Sequence, residues 1–297
     1  MAKKILITGA FGQLGEAVVW ELQPHFELMA TGDHLPEKYL HLCEVDSIDV
    51  TDRKQCNQII NSFQPNVILH LASYTNVDGS ETNKELAWNV NVKGTENLII
   101  SAKGRNLKFV YISSDYIFDG ENGPYAEDSP PSPINYYGRS KLGGENVVRG
   151  GTVPWIIFRT NVLYGVASHT KASFVNWVVE SLKARKSIRV VSDQWGNPTW
   201  TGGLAEAIKM AVILDIQGIF NYGGAEFLTR YEFAQKIAKV YDLDANLITA
   251  ISTDKLNQPA KRPLKSGLKT EKIEETLGLR LYGVEYCLRK VKEGVVA

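Results

Sequence analysis

Tyr137 is followed four residues later by Lys141, behind the serine pair Ser113-Ser114 and a proline-rich loop. On a helix this spacing places the phenol and the ammonium on one face, one turn apart. A lysine cation about 4 Å away favours the phenolate by about 4 kcal/mol at an effective dielectric of about 20, so we predict a lowered Tyr137 pKa, with burial opposing the shift. The phenol could then exchange a proton with a carbonyl or alcohol oxygen that Ser114 also contacts.

The same Tyr-x-x-x-Lys pattern occurs a second time, at Tyr286 and Lys290. No serine pair accompanies it, and with 13 tyrosines in the chain about one match is expected by chance. We therefore interpret this second pair as part of a solvated helix face. Whether the first pair, Tyr137 and Lys141, is functional has to be judged from the segments around it.

Composition and charge exclude several classes of protein. The 297 residues can bury a large core in one or two interleaved domains. Lys plus Arg and Asp plus Glu both number 33, which gives no electrostatic reason to expect nucleic acid or an anionic membrane as a partner. No apolar run approaches the roughly 18 residues of a membrane span, no signal peptide is recognisable, and the three scattered cysteines argue against a disulfide framework or a zinc site. We expect a cytoplasmic protein.

A glycine-rich loop joins the first predicted strand, at 4–8, to an amphipathic helix. The spacing of Gly9, Gly12 and Gly15 allows a tight turn and lets backbone N–H groups at the helix N-terminus reach a pyrophosphate. The loop therefore predicts a dinucleotide site.

Strands and helices alternate through the N-terminal half, and one long helix is predicted through Leu86 and Ile99. Further strands are predicted at 26–31, 66–72, 108–114 and 155–160. This alternation predicts an α/β fold with a Rossmann-type doubly wound parallel sheet. Ligands of such sheets bind at the carboxyl ends of the strands, which here are Gly9, Ala72, Ser114 and Thr160.

Two acids could contact the adenosine half of a dinucleotide. Asp33 follows the second predicted strand, where a carboxylate would hydrogen-bond the ribose and repel a 2′-phosphate, which slightly favours NADH over NADPH; a solvated loop acid is the alternative. Asp49 and Val50 could flank the adenine, although an ordinary loop acid explains Asp49 equally well. His70, within an apolar strand, is interpreted as a core histidine.

The pattern changes after Thr160. The later segments are predicted as a helix at 172–186, a strand at 188–193, a turn-rich loop at 193–200, a helix at 202–214, a strand at 218–223, a helix ending near 241 and a small helical remainder. We expect residues 1–160 to form the dinucleotide-binding Rossmann domain. Residues 161–297 are expected to form mostly a smaller substrate-binding lobe, with about 200–223 returning to the main sheet.

Nearly the whole chain resembles the dTDP-4-dehydrorhamnose reductase family of the extended short-chain dehydrogenase/reductase superfamily. The most specific segments are TGAFGQLG at 8–15, the run from Ser113 to Glu145, FRTNVLYG at 158–165, SDQWGNPTW at 192–200 and RPLKSGLKTEKIEETLGL at 262–279. The resemblance implies reduction of the 4-keto group of a dTDP-linked 6-deoxyhexose with NADPH or NADH. Hydride would go to carbon and Tyr137 would protonate oxygen.

Roles can be carried over residue by residue. The resemblance implies that Ser114, Tyr137 and Lys141 are catalytic, with Tyr137 and Lys141 also contacting the cofactor. The cofactor would be lined by Phe11, Gly12, Gln13, Leu14, Asp49, Val50, Leu71 and Ala72. The glycine loop and the end of the second strand add Gly9, Gly15 and Asp33 to these residues. Ser114, Asp115 and Tyr116 would face the sugar.

Two positions depart from the family pattern. Val162 stands where the family usually has a tryptophan beside the sugar, so a weaker substrate contact is expected there. Ala17 stands where many members use a glutamate for a magnesium-bridged dimer, and Glu16 would point elsewhere, so no metal site is predicted. The expected partner is a nucleotide-sugar substrate, and a homodimer is compatible with the sequence.

The same motifs also resemble the non-catalytic regulatory (beta) subunit of methionine adenosyltransferase, which binds NADP and a partner enzyme. An epimerase or another nucleotide-sugar reductase is a third alternative. The intact Ser-Tyr-Lys set favours an enzyme.

Overall fold

The computed structural model describes residues 2–33, 41–166 and 173–297. Its strands are β1 (Lys4–Thr8), β2 (Glu27–Gly32), β3 (Glu44–Ser47), β4 (Val67–His70), β5 (Lys108–Ser114), β6 (Trp155–Thr160), β7 (Leu163–Tyr164), β8 (Ile188–Val191), β9 (Trp195–Gly196), β10 (Thr199–Trp200), β11 (Gly218–Asn221), β12 (Leu228–Thr229) and β13 (Ile248–Ile251). Its helices are α1 (Gln13–Leu22), α2 (Arg53–Phe63), α3 (Val77–Thr82), α4 (Lys84–Trp88), α5 (Gly94–Ala102), α6 (Tyr136–Gly150), α7 (Phe174–Lys183), α8 (Thr201–Ile213), α9 (Arg230–Val240), α10 (Glu271–Leu277) and α11 (Val284–Lys292).

The main sheet of the described chain has seven strands in the order β11-β6-β5-β4-β1-β2-β3, and all of its neighbouring pairs are parallel. Ile5 of β1 pairs with Leu28 on one side and with Val67 on the other. The strand order therefore reverses between β1 and β4. In such sheets the carboxyl ends at the reversal open a crevice for ligands.

Alternate residues of the central strands face opposite helical layers, because successive side chains of a strand point to opposite faces. In β1, Ile5 and Ile7 pack in a core with α1 and α8, whereas Leu6 packs in another core with α2 and α5. Helices therefore cover both faces of the parallel sheet. The predicted Rossmann-type α/β fold class is confirmed.

The C-terminal half contributes both to the main sheet and to a core of its own. β11 extends the main sheet beside β6, and α8 packs on α1. A further core forms around α7, α9 and α11 with the paired strands β8 and β13. The helix predicted at 172–186 is α7 in the structure, and residue 172 lies outside the described residues.

Three predicted elements differ from the structure. The turn-rich loop predicted at 193–200 contains the short strands β9 and β10. The long helix predicted through Leu86 and Ile99 is divided, because the π-helical segment Asn89–Lys93 separates α4 from α5. Within this segment the Asn91 side chain accepts hydrogen bonds from Ser73 Oγ at 2.8 Å and from the Tyr74 backbone N–H at 2.7 Å. The remainder after residue 241 is not purely helical either, since it contains β13.

Among the helices of the described ranges, none combines the length and the apolar character that a membrane span requires.

Candidate active site

Ser114 is the last residue of β5, at the carboxyl edge of the main sheet, and it is buried. Its hydroxyl donates to Asp115 Oδ1 at 3.1 Å and accepts from the Tyr116 backbone N–H at 3.2 Å. This second bond caps the short 3₁₀ turn Asp115–Ile117. The turn therefore fixes the position of the Ser114 hydroxyl.

The start of α6 positions the predicted proton donor. Asn135 caps this helix by accepting the Gly138 N–H at 2.8 Å, which places Tyr137 in the first turn and Lys141 one turn later. The Tyr137 ring is half-buried and meets the Tyr116 ring edge-on, with 5.7 Å between the centroids. The structure thus brings Tyr137 next to the turn that carries Ser114.

Lys141 is only 3% exposed. Its Nζ lies 4.4 Å from the centroid of the Tyr111 ring and donates to Ser73 Oγ at 3.4 Å. Burial lowers the pKa of Lys141 to about 7, and the nearby Glu145 carboxylate partly opposes this fall. The amine is therefore only partly protonated at neutral pH.

The predicted lowering of the Tyr137 pKa is wrong in this structure. Burial raises the pKa of Tyr137 above its usual range, and the hydrogen bond with Ser114 opposes the rise only in part. Lys141 is not among the groups that shift this pKa, so it does not offset the effect of burial. The phenol is consequently protonated at neutral pH, which is the form a proton donor needs.

Asp115 is a buried carboxylate directly beside Ser114. It accepts hydrogen bonds from the hydroxyls of Ser114 and Ser266. Burial raises the pKa of Asp115 to about 6, while these two hydrogen bonds and the Arg230 charge hold it lower than burial alone would. Near neutral pH the group is mostly ionised and can accept a hydrogen bond from a substrate hydroxyl.

The three glycines of the first loop have different surroundings. Gly9 has a φ of +70°, and a Cβ there would lie 2.5 Å from the Ala72 nitrogen. A Cβ on Gly15 would lie 2.4 Å from the Ala10 carbonyl oxygen. A Cβ on Gly12 would meet nothing closer than the Gly9 oxygen, at 3.5 Å. A side chain at position 9 or 15 would therefore clash with the backbone and distort the loop. Gly12, the N-cap residue of α1, has space for a small side chain.

This loop fits a dinucleotide. Gly12 offers no side chain to cap the first backbone N–H groups of α1, so these groups can receive a pyrophosphate. The side chains of Phe11 and Leu14, which belong to this loop and the start of α1, are buried in the core. The Gln13 side-chain amide lies 3.3 Å from the Leu163 carbonyl oxygen and 3.3 Å from the Gly165 nitrogen, so it faces β7.

Leu71 and Ala72 follow β4 and stand against the glycine loop. The Leu71 N–H donates to the Thr8 carbonyl at 2.9 Å, and the Ala72 backbone is what leaves no room for a Cβ on Gly9. These two residues therefore share the carboxyl edge with the loop, as Asp33 does at the end of β2.

Asp49 and Val50 form the turn before α2. Val50 is buried and packs against Gly94, while the Asp49 carboxylate accepts from the N–H and the hydroxyl of Thr51, at 2.8 and 2.7 Å. The Asp49 carboxylate thus stabilises the turn in which it lies, which is the ordinary role of a loop acid.

His70 is a core residue. It is 1% exposed, and its ring lies 2.7 Å from Thr8 Oγ1 and 3.1 Å from Thr95 Oγ1. Burial lowers the pKa of His70 to about 3, with a further contribution from Lys141. The imidazole is therefore neutral and structural, as interpreted from the sequence.

The second Tyr-x-x-x-Lys pair lies on α11. Tyr286 is 42% exposed, and Lys290 Nζ is 5.7 Å from the centroid of its ring. The interpretation as a solvated helix face is confirmed.

A pocket opens beside the turn that follows Ser114. It is lined by Asp115, Tyr116, Val162, Gln194, Trp195, Gly196, Pro198, Leu228, Thr229, Arg230, Pro263 and Ser266. The first three are candidates from the sequence analysis, whereas Trp195, Arg230 and Ser266 were missed. Trp195 and Ser266 lie within segments that the sequence marks as distinctive, whereas Arg230 lies outside them, and a motif does not say which of its side chains face a pocket.

The sequence profile described as RmlD substrate binding domain matches residues 3–294 of the chain. The chain belongs to this family.

Relatives and solved structures of the RmlD family agree with the motif-based resemblance, which is confirmed. The dTDP-4-dehydrorhamnose reductase of Aggregatibacter actinomycetemcomitans is 31% identical, over 97% of this chain and 98% of that enzyme. The structure of the dTDP-4-dehydrorhamnose reductase of Bacillus anthracis in complex with NADP superposes with a TM-score of 0.89 at 30% identity, covering 99% of this chain and 100% of the other.

The chain is also similar to the beta subunit of methionine adenosyltransferase 2 from Rattus norvegicus. The two are 33% identical, over 94% of this chain and 83% of that protein. Overall identity therefore does not separate the reductase from the regulatory alternative. The chemistry of the site has to do so.

Within the described ranges, no group of three or more His, Cys, Asp and Glu side chains is placed to hold a metal ion.

Proposed function

We propose that this protein catalyses the NAD(P)H-dependent reduction of the 4-keto group of a nucleotide-linked 6-deoxyhexose. The observation that carries the proposal is the meeting of Ser114, Tyr137 and Lys141 at the carboxyl edge that also holds the glycine loop. Binding a dinucleotide requires the glycine loop but no general acid. A protonated phenol hydrogen-bonded to a serine beside an open pocket serves proton transfer to a substrate oxygen.

Each of the three residues has a separate task. When bound, the reduced nicotinamide supplies a hydride to the carbonyl carbon. Tyr137 donates its proton to the carbonyl oxygen, and the Ser114 hydroxyl stabilises the charge that develops there. Lys141 binds the nicotinamide ribose and holds the cofactor beside Tyr137.

The remaining candidates divide between cofactor and sugar. We assign the dinucleotide to residues 1–160, with the pyrophosphate at Gly9–Gly15, the adenosine near Asp33, Asp49 and Val50, and the nicotinamide half near Leu71 and Ala72. Asp33 favours NADH slightly, because a carboxylate beside the ribose repels a 2′-phosphate. We assign the sugar to a site that includes Asp115, Tyr116 and Val162. Most of the other sugar contacts are assigned to residues 161–297.

A reductase assay tests the proposal. Purified protein mixed with NADH or NADPH should oxidise the cofactor when a dTDP-linked 4-keto-6-deoxyhexose is added, and sugars linked to other nucleotides serve as comparison substrates. An epimerase would change the sugar without net consumption of NAD(P)H. Failure to oxidise either cofactor with any of these sugars, combined with co-purification of a methionine adenosyltransferase, would establish the regulatory alternative.

A charge at the glycine loop should weaken cofactor binding. Gly12→Asp places a carboxylate at the start of α1, where it would repel the pyrophosphate, and we expect the Kd for NADH and for NADPH to rise at least about tenfold. Aspartate is itself a good N-cap residue, so the fold should persist.

Gly12→Ala is the matched control for this substitution. It adds only a Cβ, which has room at 3.5 Å from the nearest atom, and the Kd should change little. Titration calorimetry measures both variants with both cofactors. An unchanged Kd in Gly12→Asp would show that the pyrophosphate lies elsewhere.

A further inference from the structure

Trp195 and Val162 both line the pocket beside Asp115. A Cβ built on Gly196, the neighbour of Trp195, would lie 3.7 Å from Val162 Cγ2. The backbone of the strand that carries Trp195 therefore lies close to Val162.

Trp195 is held as a rigid platform. Its backbone N–H donates to the Leu264 carbonyl at 2.6 Å, and its carbonyl accepts from the Ser266 N–H at 3.1 Å. On its other side, β9 pairs with β12 through Thr229. The indole ring stacks on the Phe227 ring, with 5.4 Å between centroids and 29° between planes. The residue nevertheless remains partly exposed and lines the pocket.

A short chain of contacts joins this platform to the reacting groups. Ser266, whose N–H bonds to Trp195, donates its hydroxyl to the Asp115 carboxylate. Asp115 in turn accepts from Ser114, which hydrogen-bonds Tyr137. The pocket lined by Trp195 therefore lies next to the reacting groups. In a nucleotide sugar bound with its carbonyl at Tyr137, the part nearest these groups is the hexose ring.

Val162 has a backbone φ of +42°, a conformation that a β-branched residue rarely adopts. Its carbonyl accepts from the Thr199 N–H at 3.1 Å, and β7 pairs with β10 immediately afterwards. These contacts hold the small side chain against the strand that carries Trp195. With valine at position 162, the aromatic residues in the pocket lining are Tyr116 and Trp195.

We propose that Trp195 is a specificity-determining residue whose indole packs against the apolar face and the C6 methyl group of a 6-deoxyhexose, in place of an aromatic side chain at position 162. This inference rests on the proposed function and assigns its sugar contact. Aromatic surface suits a 6-deoxy sugar because C–H groups and a methyl replace a hydroxyl that would require a polar partner.

Calorimetry with two ligands tests this assignment in the presence of saturating NADP⁺. The ratio of the Kd for dTDP to the Kd for dTDP-rhamnose measures what the sugar adds to affinity. In Trp195→Ala this ratio should fall by about tenfold, whereas the Kd for dTDP alone should change little. Trp195→Phe keeps an aromatic ring and should retain most of the ratio. Trp20→Ala, which removes an exposed indole on α1, should leave it unchanged.

The possible outcomes separate the inference from the proposed function. If wild-type protein binds dTDP-rhamnose and Trp195→Ala leaves the ratio unchanged, Trp195 does not contact the sugar, although the proposed function stands. If Trp195→Ala weakens both ligands equally, the residue only shapes the pocket and the inference is overturned. If wild-type protein binds neither ligand, the proposed function fails and this assignment fails with it.

Discussion

Replacing Tyr137 with phenylalanine should lower kcat for the reduction by about 10²- to 10⁴-fold, the usual effect of losing a positioned general acid. The phenol is protonated at neutral pH because burial raises its pKa. Phenylalanine keeps the ring and its edge-on contact with Tyr116 but has no proton to give. Steady-state kinetics with a dTDP-linked 4-keto-6-deoxyhexose measures the loss, and the Kd for NADPH should stay within a few-fold.

Tyr286→Phe is the matched control, because Tyr286 also precedes a lysine by one helical turn but is exposed on α11. It should leave kcat unchanged. Equal losses in the two variants would show that the proton comes from another group.

Replacing Arg159 with methionine should lower the free energy of unfolding by about 3–5 kcal/mol, the usual cost of leaving a buried charge without its partner. Arg159 is 2% exposed and makes a two-pronged ion pair with Glu145, through Nε to Oε1 at 3.0 Å and Nη2 to Oε2 at 2.9 Å. Its Nη1 also donates to the Glu127 carbonyl at 2.8 Å. The substitution would strand the Glu145 carboxylate inside the protein. Denaturation in urea measures the change.

Two controls identify the cause of this loss. The double variant Arg159→Met with Glu145→Leu should recover much of the stability, because it removes the carboxylate that the single variant leaves buried without Arg159. Lys239→Met breaks an ion pair with Glu285 in which the lysine is 70% exposed, and it should leave the unfolding curve unchanged. A double variant no more stable than the single one would mean that packing, rather than charge, dominates at Arg159.

The main sheet could be predicted from sequence because its strands are short apolar runs with helices between them. Ile68 and Leu69 face opposite cores, so buried parallel strands carry no polar alternation and read as continuous apolar segments. The π-helical segment at Asn89–Lys93 could not be predicted, since it depends on the bonds that Asn91 makes to Ser73 and Tyr74. Strand β13 was also missed, because its pairing with β8 joins segments far apart in the chain.

The candidate site was predictable in its composition but not in its electrostatics. The spacing of Tyr137 and Lys141, and the position of Ser114 at the end of a strand, indicated that these three side chains would lie close together. The direction of the Tyr137 pKa shift depends on how deeply the phenol and the amine are buried, which only the packed structure reveals. Trp195 was missed for a similar reason, since its place in the lining of the pocket beside Asp115 is visible only in the packed structure.

The packing of α8 on α1 constrains how the chain can fold as it is synthesised. The N-terminal half leaves the ribosome with one side of α1 uncovered and with β6 as an open strand edge, because α8 and β11 come much later in the sequence. Contacts between such distant segments slow folding and prolong the exposure of apolar surface. Residues 1–160, which we assign to the cofactor, are therefore not an independently folding domain. Expressed without the C-terminal half, they would tend to aggregate.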